Sequence, residues 1–102
     1  MRVSNLLAAA AGAISGIFAA TGQTCIAGSR LYVHRSIHDQ VVEGVAAYAK
    51  SMKLGHGLDP STQMGPLVSA KQAARVASFV AGARAEGATV LTGGDLHGEA
   101  ST

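Results

Sequence analysis

The residues with recognisable chemistry lie together in Gly22-Gln23-Thr24-Cys25-Ile26-Ala27-Gly28-Ser29-Arg30, which holds the only cysteine of the chain. A thiolate is a strong nucleophile, provided that its surroundings lower the pKa or supply a base. Gly22, Ala27, Gly28 and Ser29 crowd both sides of the sulfur. Little side-chain bulk hides the thiol there, and the backbone can approach a bound molecule closely. Taken by itself, a lone cysteine reads as a small buried hydrophobe. With no second cysteine there is no intramolecular disulfide, which fits a reducing, cytoplasmic compartment. No obvious base adjoins Cys25. Arg30, the nearest cation in sequence, reads as a residue with a structural partner.

Other candidates carry less. His34, His38, His56 and His97 are isolated in sequence. His56 has no histidine or cysteine nearby, which argues against a metal site. Gly55-x-Gly57 neither follows a strand nor opens a helix, so it is not a dinucleotide fingerprint. The formal net charge is +2, with no dense Lys/Arg run and four aromatic residues in all. Nucleic-acid binding is therefore not expected.

The elements around the thiol follow from pattern. The apolar run from about Leu6 to Ala20 reads as a helix buried on every face, with Ser4 or Asn5 as its cap and Gly22 suited to its end. Arg30 to His34 reads as a strand covered on both faces. Cys25 then sits on a helix-to-strand connection, a place where rigid scaffolds present reactive groups. A second helix runs from Ser36 to about Met52, with an apolar stripe at Val41, Val45, Tyr48 and Met52. Lys53 to Pro66 is a loop broken by Gly55, Gly57, Pro60, Gly65 and Pro66. Ser69, with Gln72 at the capping-box position, opens a third helix. Its stripe is Ala73, Val76, Ala77, Val80 and Ala83, and Gly87 stops it. Ala88 to Leu91 reads as a second strand. If the two strands pair in parallel, the crossover is right-handed. The tail from Asp95 to Thr102 has no pattern. About 100 residues make one small α/β unit with a modest buried fraction.

Met1-Arg2 followed by Leu6 to Ala11 imitates a secretory signal peptide, with Phe18-Ala19-Ala20 in place of a cleavage region. The run is interrupted by Ser15 and Thr21 and is short for a bilayer span. The core-helix reading is preferred, with a small exported protein as the remaining alternative.

Phe18, Gly22-Gln23, Cys25, Ala27 and Ser29-Arg30 together resemble the active-site cysteine signature of the aldehyde dehydrogenase superfamily. Ser29-Arg30-Leu31-Tyr32-Val33, Gly55 through Pro66, and Glu86-Gly87-Ala88 to Gly93-Gly94 extend the resemblance over about Gly16 to Gly94. The resemblance implies an α/β fold, part of the family's catalytic domain, arranged helix–strand–helix–helix–strand with a parallel strand pair. It implies that residues 1–102 are an incomplete catalytic domain without the cofactor-binding domain. It also implies a chemistry. The cysteine thiolate adds to an aldehyde, hydride leaves to NAD or NADP, and water hydrolyses the thioester with help from a glutamate. The cysteine N–H and an asparagine side chain stabilise the oxyanion.

Carried over, Cys25 is the nucleophile, its N–H an oxyanion donor, and Thr24 and Ile26 flank the aldehyde. Gln72 and Arg75 sit where some members contact the cofactor ribose, although Gln72 is equally explained as a cap and Arg75 as solvated surface. The glutamate base, the oxyanion asparagine and the Glu-x-Phe-Gly-Pro-type segment have no counterpart here. The resemblance implies a small-molecule aldehyde as partner and, since family members are homo-oligomers, further copies of the chain; nucleic-acid and membrane partners are not expected for this sequence. The alternative function is a catalytically inactive truncated remnant, acting at most as a structural or interaction module.

Overall fold

The computed structural model describes residues 6–95. The caps expected at Ser4 or Asn5, and His97 with most of the tail, lie outside them. Helix α1 spans Leu6–Phe18. Its run of Ala and Leu has high helix propensity, and no proline interrupts it. The helix ends earlier than the expected Gly22 because the chain turns left-handed. Ala20 (φ 51°), Thr21 (φ 58°) and Gly22 (φ 73°) take positive φ in succession. For Ala and Thr that conformation costs about 1–2 kcal/mol each, so neighbouring contacts must hold it.

Helix α2 spans His38–Ser51 and follows a short 3₁₀ turn, Arg35–Ile37. The start expected at Ser36 lies close: Ile37, at the N-cap of α2, makes no side-chain bond, and it is the 3₁₀ turn that is capped, by His34. Its Nδ1 accepts from the Ser36 N–H at 3.1 Å and lies 2.8 Å from Ser36 Oγ. Asp39 falls in the first turn of α2, where the helix dipole favours an anion.

The core lies between α1 and α2. Among the described residues the buried hydrophobic ones are Ala10, Ile14 and Val41. Gly44 makes the approach possible: a Cβ there would lie 3.3 Å from the Ala10 Cβ. The expectation that α1 is buried all round is corrected. Ala10 and Ile14 share the buried side, while Ala11, Gly12, Ser15 and Gly16 are exposed.

Helix α3 spans Ala70–Ala85. Ser69 caps it as expected, its Oγ accepting from the Gln72 N–H at 3.1 Å. Gly87, at φ 96°, closes it. The Gly87 N–H donates to the Arg84 carbonyl and the Ala88 N–H to the Ala83 carbonyl, the pair of bonds that defines a Schellman motif. The burial expected for its stripe is not found. No residue of α3 is buried, and the helix packs on neither α1 nor α2. An amphipathic stripe marks a face able to pack and says nothing about where its partner lies. What returns to α3 is the segment after Val90. A Cβ on Gly94 would lie 3.2 Å from both Val80 and Val90 side chains, and Arg84 reaches Asp95 at 3.4 Å.

The strand pair is not formed among the described residues. Segments 30–34 and 88–91 have no ladder, and the one bridge is an isolated parallel contact between Leu54 and Met64. A segment becomes a strand only when a neighbour supplies the matching backbone groups, and neither segment does so for the other. No described helix is long and apolar enough to cross a membrane.

Candidate active site

Cys25 is reduced and exposed. It stands at the second position of a tight turn, closed by the Ala27 N–H donating to the Thr24 carbonyl at 3.1 Å. Ile26 takes the third position and is 88% exposed. Thr24, Cys25 and Ile26 are thus brought together at one corner. The N–H groups of Cys25 and Ile26 donate to no acceptor among the described residues.

Both ends of this corner are tied down. On the outgoing side, the Gly28 N–H donates to the Gly16 carbonyl at 2.8 Å, binding the loop to the last turn of α1. On the incoming side, the Gln23 N–H donates to the Ala20 carbonyl at 3.1 Å. The Gln23 amide adds two bonds: Nε2 donates to the Ala20 carbonyl at 3.3 Å, and Oε1 accepts from the Val68 N–H at 2.9 Å. Thr21 Oγ1 donates to the Gly65 carbonyl at 3.1 Å. These bonds explain how Ala20 and Thr21 stay at positive φ, since such strain persists only where surroundings over-determine it. They also bring the segment before α3 to the thiol loop.

Arg30 makes no ion pair with another of the described residues, where a structural partner was expected. The ion pairs among the described residues are His38–Asp39, Lys53–Asp59 and Arg84–Asp95. A cavity of about 440 Å³ is lined by residues that include Ala9, Leu31, Val33, Ile37 and Val41, and Cys25 is not among them. Among the described residues no three His, Cys, Asp or Glu side chains gather as a metal site requires.

Arg75 has a local side-chain partner, whereas the Gln72 side chain makes no hydrogen bond among the described residues. The Gln72 N–H serves the Ser69 cap, and the Arg75 guanidinium lies 5.9 Å from the centre of the Phe79 ring. A dinucleotide needs backbone N–H donors for its phosphates and a crevice to receive it. These two residues offer neither, so by themselves they do not make a dinucleotide site. His34 as a cap and Gln23 as a clip were missed in the sequence. The His34-x-Ser36 spacing carries a faint signal for the first. Nothing local signals the second, whose partner Val68 is 45 positions away.

The model of the aldehyde dehydrogenase family matches residues 1–102. The chain belongs to this family. Among relatives of this aldehyde dehydrogenase chain, DhaS of Bacillus subtilis is 44% identical over 97 residues, which is 95% of this chain and 20% of DhaS. The structure of PnpE from Pseudomonas sp. WBC-3 in complex with nicotinamide adenine dinucleotide matches with a TM-score of 0.89 at 47% identity. That match covers 93% of this chain and 20% of PnpE. The NAD+ complex of an aldehyde dehydrogenase from Bacillus cereus matches with a TM-score of 0.86 at 44% identity, covering 89% of this chain and 18% of that one. The aldehyde dehydrogenase fold therefore holds over the matched part. The chain spans about a fifth of the length of the relatives it matches.

Proposed function

We propose that this chain carries the nucleophile of an aldehyde dehydrogenase, within an incomplete catalytic domain of an enzyme that oxidises an aldehyde to a carboxylic acid with NAD or NADP. The observation that carries this reading is the exposed Cys25 at the corner of a turn, its own N–H donating to no acceptor among the described residues. Two chemical steps fall to this chain. In the first, the Cys25 thiolate forms a bond to the carbonyl carbon, and the carbonyl π electrons move to oxygen as an oxyanion. The Cys25 N–H donates to that oxyanion. In the second, water attacks the later thioester, the carbon–sulfur bond breaks, and the thiolate is restored as the acid leaves. NAD or NADP supplies the hydride acceptor between them, held chiefly by parts of the enzyme other than the described residues. Thr24 and Ile26 flank the aldehyde. Gln72 and Arg75 add at most a ribose contact.

In the whole enzyme, segments 30–34 and 88–91 gain the backbone partners they lack here and form strands of a parallel sheet. Substitution of the nucleophile tests the central assignment. Cys25→Ser abolishes aldehyde-dependent NADH formation while leaving the melting temperature nearly unchanged; a variant that keeps its activity rejects the assignment. Calorimetry supplies the second test. Residues 1–102 alone show no micromolar binding of NAD, and such binding would mean that Gln72 and Arg75 do far more than the geometry supports.

A further inference from the structure

We propose that Gln23 is a positioning residue for the Cys25 thiol, a clip that fixes the incoming end of the nucleophile loop and couples it to the segment Gly65–Val68. The inference rests on the reading of Cys25 as the nucleophile. The loop has an anchor on each side of the sulfur. The outgoing anchor is a single backbone bond, Gly28 to Gly16. The incoming anchor is Gln23, whose side-chain amide works at both ends at once, donating to the Ala20 carbonyl and accepting from the Val68 N–H.

That combination is chemically restrictive. A primary amide carries a donor and an acceptor side by side. A carboxylate of the same shape only accepts, and a thioether does neither usefully. The clip also acts where the backbone is strained. Ala20 and Thr21 hold positive φ immediately before it, and Thr21 makes the second tie to the same distant segment, at Gly65. Without Gln23, Ala20 loses the side-chain donor that helps fix its carbonyl, and Val68 loses its acceptor. The left-handed turn then relaxes, and the thiol two residues later moves with it. Reaction geometry is sensitive to such movement: displacement by roughly 1 Å costs on the order of 10²-fold in rate. Thr21 and the Gly28 bond keep the loop attached, so the effect is misplacement rather than unfolding.

The test compares Gln23→Met, Gln23→Glu and Cys25→Ser in the whole enzyme. It reads kcat and KM, the rate of Cys25 alkylation by iodoacetamide followed on its own peptide, and amide hydrogen exchange at Val68. Gln23→Met lowers kcat by about 10- to 100-fold with KM little changed, alters the alkylation rate, and raises exchange at Val68. Gln23→Glu, which keeps the acceptor, restores protection at Val68 and recovers part of kcat; it also replaces Gln23→Met should that variant fail to fold. Faster exchange at Val68 with unchanged kcat and alkylation overturns the proposal, since the clip is then purely structural. Unchanged exchange at Val68 overturns it too, because the clip is then not made. Activity retained in Cys25→Ser instead rejects the nucleophile reading, and the alkylation and exchange results still decide whether Gln23 positions the thiol.

Discussion

The α1–loop–α2 half and the α3 half contain helices of similar length, 13 and 14 residues against 16, yet the buried hydrophobic residues among those described, Ala10, Ile14 and Val41, all belong to the first. In that half, small residues let two helices meet, and hydrogen bonds over long sequence distance hold the thiol loop against α1 and against Gly65–Val68. In the α3 half the helix is defined by its own ends: a serine cap, a Schellman glycine, and an arginine clip to the chain beyond. One region is held by packing and the other by local stereochemistry. Reactive geometry sits in the packed region, where a small displacement has something to push against.

Paired substitutions sharpen or break this contrast, read as shifts in melting temperature of the protein that contains the chain. The largest difference is expected between Ile14→Ala and Phe79→Ala. Removing a buried Ile side chain costs about 2–4 kcal/mol. Phe79 is 68% exposed, and losing it costs no more than about 1 kcal/mol, chiefly its contact with Arg75. Equal losses would show that α3 is packed in the working protein and that its bareness belongs to the chain on its own. The next pair is Gly44→Leu and Gly82→Ala. The first forces bulk between α1 and α2 and costs about 1–3 kcal/mol. The second places a methyl where nothing lies within 4 Å and gains about 0.5–1 kcal/mol from helix propensity. Destabilisation by Gly82→Ala would reveal a partner seated on α3.

A smaller effect is expected at the left-handed turn. Ala20→Gly removes Cβ strain of about 1–2 kcal/mol against a glycine entropy cost of about 0.5–1 kcal/mol. The net is a modest gain in melting temperature. A loss would mean that the turn is not strained, and the Gln23 clip would have less to hold.

The smallest effect concerns Asp59. Its carboxyl is held below the ordinary 3.8 first by the Ser61 N–H, then by the Ser61 hydroxyl, with a lesser contribution from His56. A depressed folded-state pKa gives stability that is present above the unfolded value and is lost as pH falls through the folded one. The group is exposed to solvent, so only the titration itself is informative. By NMR, the Asp59 midpoint falls below 3.8 and moves upward in Ser61→Ala.

The sequence showed clearly whatever is decided within a few residues. Ser69 and Gly87 bracket α3 through local rules of capping, the Gln72 side chain leaving its half of the capping box unmade among the described residues, and the small residues around Cys25 marked an accessible thiol. The family pattern from Gly16 to Gly94 read through to the fold. Contacts between distant segments were not legible. No propensity predicts positive φ at Ala20 and Thr21, because Gln23, Val68 and Gly65 impose it from outside the turn. The apolar stripe of α3 carried the same ambiguity in reverse. Residues 30–34 and 88–91 have strand-like composition, but composition does not supply a neighbouring ladder.

The bridge between Leu54 and Met64 has a consequence for how this chain tolerates change. The Gln63 and Met64 N–H groups both donate to the Lys53 carbonyl, and the Gly55 N–H donates to the Met64 carbonyl. The chain leaves this stem and returns to it at nearly the same point, while Leu58 at the far side is 87% exposed. The ring is closed by its own stem, so its circumference is uncoupled from the separation of α2 and α3. Doubling the number of residues around such a ring adds only about 0.6 kcal/mol of closure entropy. Residues inserted beside Leu58 enlarge a hoop without moving the hinge that carries it, so added length there leaves the thiol loop undisturbed.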